Sequence, residues 1–175
     1  MRFGDFLKAT VLLCAGAATL LAALTVIGIA RSYDPALLYV AVAWWIAAAA
    51  VGVQLGRRAQ ASPPIARLLA TARSQTTLPD LNPGSTLVNR LWPLLLSTLG
   101  AGVLAFWEPQ VAAIAAGFAV ICALAWRRQE AAVAAIEERD GVRFYVDRTS
   151  PLKPIQLIRT PGFGGDFLRV TGLGP

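Results

Sequence analysis

The residues best equipped for chemistry in this 175-residue chain are two thiols, Cys14 and Cys122, and an acidic group at Glu137, Glu138 and Asp140. Neighbouring carboxylates are raw material for metal binding or acid/base work. Here they occupy adjacent positions of a helical pattern, point in different directions and alternate with arginine, so a solvated helix face is expected. The chain has no histidine and both cysteines lie in apolar runs, which argues against a Cys/His metal site or a disulfide framework. Both thiols are expected to be small packing residues. The Gly-rich segment TPGFGGDFLRVTGLGP lacks the Gly-Lys-Ser/Thr ending of a phosphate loop and a GxGxxG register after a strand. No catalytic, cofactor-binding or metal-ligating residue is therefore assigned, and no enzymatic activity or cofactor is expected.

Composition points to the elements that would position these groups. Hydrophobic residues make up 56% of the chain and charged residues 15%, and the apolar residues gather in runs too long for a soluble core. A helix needs roughly 20 apolar residues to cross a bilayer. Four runs qualify, at about 9–30, 36–56, 87–107 and 109–126. The expected fold is an all-α membrane protein of four transmembrane helices in two hairpins. Residues 1–126 would form the transmembrane domain, with a loop at 57–86, and 127–175 an extension of the fourth helix and a tail.

Helical spacing assigns faces. A 100° step gathers Thr10, Cys14, Ala17, Leu21, Thr25 and Gly28 into one weakly polar stripe of the first span, expected to face protein. Its hydroxyls are expected to bond their own backbone or a neighbouring helix. In the second span, Ala41, Trp45, Ala48, Gly52 and Gly56 share a face, and the Gly52 to Gly56 spacing permits close backbone approach, within the chain or in a dimer. Ala112, Ala116, Ala119 and Ala123 form the corresponding small-residue seam of the fourth span, and Ser97, Ala101 and Ala105 that of the third. Ser85 is the expected cap of the third span, and Pro93 should bend it.

The polar segments carry the topology. Ser62, Pro63 and Pro64 open a short helix whose Ile65, Leu68, Leu69 and Ala72 share a side, suited to lying on an anionic leaflet, the alternative being a solvated, membrane-proximal loop. The regions 1–8, 57–90 and 127–175 are basic, with Arg57, Arg58, Arg127 and Arg128 closing the second and fourth spans, whereas Arg31, Asp34 and Glu108 in the intervening turns sum to minus one. The positive-inside rule then places both termini in the cytoplasm. The +6 net charge is read as this topology signal rather than as a nucleic-acid surface.

Past Trp126 the Ala-rich pattern is expected to run as one helix to about Asp140, with Gly141 as its left-handed terminus. Two short strands, VRFYVD at 142–147 and IQLIR at 155–159, follow, and a ribbon this small needs a surface. That surface is the bundle end, the 57–90 loop or another protein; Phe144, Tyr145, Ile155, Leu157, Phe163 and Phe167 are the candidate docking residues. LGRRAQA and AWRRQEA, each preceded upstream by an acidic residue and Pro, give the two hairpins a repeat-like signature that duplication or convergent capping would produce.

The segment EERDGVRFYVDRTSPLKPIQLIRTPGF, with AWRRQEAA before it, resembles the ends of small uncharacterised four-span membrane proteins from actinobacteria. The resemblance covers mostly the last third of the chain and implies a bacterial inner membrane but no activity. The expected role is a non-enzymatic accessory or scaffold subunit, in contact with lipid and a membrane or cytosolic protein, or with a second copy of itself. The alternative is an uncoupled transporter or lipid flippase, since coupled transport leaves an ionisable residue at membrane depth and the centres of these runs have none.

Overall fold

The computed structural model describes residues 1–32, 35–57, 62–74, 83–147 and 155–161. Four helices are long and apolar enough to cross a membrane: α1 (Phe3–Ser32), α2 (Pro35–Leu55), α4 (Pro83–Leu104) and α5 (Pro109–Trp126). Between and after them come α3 (Pro63–Ala70), β1 (Arg73–Ser74), α6 (Gln129–Asp140), β2 (Val142–Val146) and β3 (Leu157–Pro161). Pro at the first position of α2, α3, α4 and α5 loses no needed donor and starts each with φ already set.

Contacts between sequence neighbours are not the ones that dominate the packing. α5 lies at the centre, with its most extensive contact to α1 and the next to α2, while α1 and α2 barely meet. α4 makes lesser contacts with α1 and α5. Small residues explain the central place of α5: Ala112 and Ala116 are buried with Leu21 of α1, Ala101 of α4 and Ala105 just beyond it. Outward faces are apolar on every span, with Leu12, Val40, Ile46 and Leu99 each about two-thirds exposed (65%, 66%, 66% and 65%). Surface of this kind suits lipid and not water.

At one end the helices merge into a cap. Phe3, Phe6 and Leu7 of α1, Ile65 of α3, Leu91 of α4, Val133 of α6, Val142, Phe144 and Val146 of β2 and Leu157 of β3 form one buried cluster. The first turns of α1 and α4 belong to the same core as the strands. β2 and β3 pair antiparallel, from Val142 opposite Pro161 to Val146 opposite Leu157. The two-residue β1 adds in parallel on the other side of β3, which gives the order β1-β3-β2.

Several expectations change in detail. The helix expected from 109 to 140 runs over that length with a two-residue interruption at Arg127 and Arg128, both still in the right-handed helical region (φ −55°, ψ −27° and φ −102°, ψ −3°). The break turns Val133 into the cap core, fully buried, so α6 covers the cap instead of projecting from it. α3 forms as expected, but Ile65, Leu68, Leu69 and Ala72 cover the cap cluster and not a leaflet. α4 begins at Pro83, two residues before Ser85, and places Leu87 and Leu91 against the cap, with Arg90 between them on the same cap-side section. Gly141 takes the left-handed conformation, φ 61°, that ends α6.

Candidate functional site

Polar side chains on the four long apolar helices mostly serve their own or adjacent helices. Thr10 and Thr25 are buried and donate to the carbonyls of Phe6 and Leu21, both at 2.8 Å. Ser97 and Thr98 both donate to the Leu94 carbonyl, at 2.9 and 2.8 Å. Trp45 Nε1 donates to Ala113 O at 2.9 Å, and Trp44 Nε1 to Ile114 O at 3.3 Å, which stitches α2 to α5.

The small residues lie where backbones converge. A Cβ at Gly52 would approach Leu124 Cβ to 2.9 Å and Ile121 Cα to 3.1 Å, and one at Gly56 would strike the Leu124 carbonyl oxygen. This glycine spacing therefore serves the α2–α5 contact inside the chain. Ala112 and Ala116 are buried in that bundle, while Ala119 and Ala123 are half-buried. Gly117 leaves room for the Trp44 indole, whose edge also meets Phe118 with ring centroids 5.6 Å apart.

In the cap, polar groups fasten separate segments. Gln129, buried at the start of α6, accepts the Ser62 amide at 3.0 Å, and Glu137 accepts the Phe144 amide at 2.9 Å. Arg128 Nη1 donates to Arg57 O at 3.0 Å, so a cation sits at the C-terminal end of α2, where carbonyls lack helical partners. Burial pushes the Met1 amine below its ordinary value, and the Asp5 carboxylate opposes that shift. Arg139 and Asp140 pair at 2.8 Å on the surface, and Lys8 approaches Glu130 to 3.9 Å.

The candidate docking residues divide accordingly. Phe144, Tyr145 and Leu157 are buried in the cap and Ile155 packs at its edge, so the chain supplies the surface that its strands require. Phe163, Phe167 and Arg58 lie outside the described residues. Arg57 and Arg127 are exposed beside Arg128.

Among the long apolar helices a cleft of about 560 Å³ opens where α4 stands away from α1 and α5. Pro93, Leu94, Ser97 and Thr98 line one wall and Ala115, Phe118, Ala119 and Cys122 another, with Cys14, Ala17 and Leu21 completing it. Pro93 has no amide to give the preceding turn, a local weakness in α4 at the cleft. Cys14 and Cys122 are free thiols whose sulfurs lie 3.3 Å apart. A second opening, of about 540 Å³, lies in the cap among Arg2, Asp5, Glu130, Glu137, Glu138 and Arg143. Its charges are mixed, and among the described residues no group of three or more His, Cys, Asp or Glu is placed to hold a metal ion.

The thiol pair, the two tryptophan bonds and the anchoring role of Glu137 are absent from the sequence-level expectations. For the thiols a signal existed: Cys14 falls six residues after Lys8 and Cys122 five before Arg127, each near the end of its run that faces the same basic side. No protein-family model, curated protein or solved structure matches the chain.

Proposed function

We propose that this chain is a multi-pass protein of a bacterial cytoplasmic membrane, with the cap in the cytoplasm, acting as a non-enzymatic accessory or scaffold subunit. The orientation rests on charge. Lys8, Arg57, Arg67, Arg73, Arg127, Arg128, Arg139 and Arg143 belong to segments at the cap end, whereas Arg31 and Glu108 lie at the opposite end of the bundle. The positive-inside rule favours that end for the cytoplasm.

The observation that carries the scaffold role is the use made of polar side chains. Thr10, Thr25, Trp44, Trp45, Gln129, Glu137 and Arg128 are each spent on a hydrogen bond that holds one helix or joins two segments. Such groups build a platform in which helix ends and cap are fixed together, with apolar sides of α2 and α4 left to lipid or partner helices. The test is purification of the tagged chain in mild detergent, with identification of stoichiometric co-purifying membrane proteins. A reproducible partner supports scaffolding.

The cleft beside Pro93 favours a second reading, uncoupled passage of a lipid or neutral solute. Labelled-lipid scrambling by the chain alone in proteoliposomes, lost in a Ser97→Trp variant that fills the cleft, would support transport over scaffolding.

A further inference from the structure

We propose that Cys14 and Cys122 form a dithiol/disulfide site within the membrane, resting on the membrane reading above, oxidised by a lipid-soluble quinone that enters the cleft beside Pro93. Three observations converge. The sulfurs are 3.3 Å apart on α1 and α5, helices that pack extensively against each other. A disulfide requires these sulfurs to close to ~2.05 Å. Cys14 is 1% exposed, so Cys122, half-buried on the cleft wall, is the sulfur a ligand reaches.

Depth selects the chemistry of the oxidant. Cys122 lies five residues before Arg127, roughly 7.5 Å inside the basic end at ~1.5 Å per residue, in an apolar segment. Charged aqueous thiols and protein disulfides that set the poise of the cytosol do not enter hydrocarbon. An oxidant that dissolves in lipid and accepts two electrons and two protons suits this depth. Quinones are oxidants of this kind. A cleft of about 560 Å³ is within the ordinary range for a small-molecule site, and Leu21, Leu94 and Phe118 offer a flat ring apolar walls.

The step balances. The two S–H bonds break and one S–S bond forms; both electrons and both protons pass to the quinone, whose carbonyl oxygens become the hydroxyls of the quinol. Each chain undergoes one such event, so the site is a redox-responsive link between α1 and α5 and requires no turnover.

The full-length chain, reduced and reconstituted in lipid nanodiscs, is to be mixed with a short-chain ubiquinone analogue. The expected result is one quinol per chain by absorbance, loss of two hydrogen masses from the intact protein, and both cysteines protected from alkylation after denaturation. Cys14→Ser and Cys122→Ser should each abolish quinol formation. Ser97→Trp should block the quinone while leaving the pair open to diamide, a small permeant thiol oxidant, which shows that the thiol pair is still in place. Two alkylatable thiols after excess quinone, or quinol formed equally by the double Cys14→Ser/Cys122→Ser variant, would overturn the proposal. So would unhindered quinone reduction in Ser97→Trp.

Discussion

The Val146 amide donates to the Met1 carbonyl oxygen at 3.1 Å, and Arg2 forms a bridge with Tyr145, so the start of the chain extends the edge of β2. Phe3, Phe6 and Leu7 follow directly into the cap core. A hydrogen bond between residues so far apart in sequence gives the strands the support that a small ribbon lacks by itself, and it ties the first span to the segment after the last.

The cap should behave as one unit. Phe144→Ala removes a ring that is 3% exposed, and substitutions of this type cost about 3–5 kcal/mol. Amide exchange should accelerate together in α3, α6, β2 and β3 while the centre of α5 stays protected. Acceleration confined to β2 would show that the cap segments are independent.

Glycine positions on the spans should differ sharply in tolerance. Gly56→Ala places a methyl against the Leu124 carbonyl oxygen, which is main chain and cannot swing away, and overpacking of this kind costs about 1–3 kcal/mol. Gly100→Ala meets nothing within 4 Å. It should be neutral or raise stability slightly, by up to about 1 kcal/mol of helix propensity. Thermal unfolding of both variants in one detergent checks the contrast, and equal midpoints would contradict the α2–α5 contact.

Arg128 should act through its guanidinium and not through packing, since it is exposed and its bond to Arg57 O lies at the surface. Arg128→Gln should cost about 0.3–1 kcal/mol, the usual worth of a cation at a helix C-terminus, and Arg128→Lys should recover part of it. Raised salt should shrink the difference between wild type and Arg128→Gln. A salt-independent loss would point to a different role.

Much of the helical architecture was legible because helical periodicity and small-residue spacing act within single segments. Thr10, Cys14, Ala17, Leu21 and Thr25, grouped by a 100° step, are all buried. Ala41, Ala48 and Gly52 mark the buried side of α2. What sequence could not supply was the partner of each face. The apolar side of α3 states a need for cover, yet a leaflet and a protein core satisfy it equally. Phe144 and Leu157 likewise state that β2 and β3 must rest on something, without naming Phe3 or Val133. The α5–α6 break at Arg127 and Arg128 was hidden because both are good helix formers. It is set by tertiary demand, the need to bring Val133 and Glu137 under β2. The proximity of Cys14 to Cys122 also depends on the pairing of α1 with α5, which no local pattern encodes.

The most direct measurement of the proposed topology is cysteine labelling in intact cells. Single cysteines at the exposed positions Arg2, Glu108 and Glu138, in a chain lacking Cys14 and Cys122, would be treated with a membrane-impermeant maleimide. Glu108→Cys should label from outside, and Arg2→Cys and Glu138→Cys only after lysis. External labelling of Arg2→Cys or Glu138→Cys, or protection of Glu108→Cys until lysis, would contradict a four-span protein with its cap in the cytoplasm.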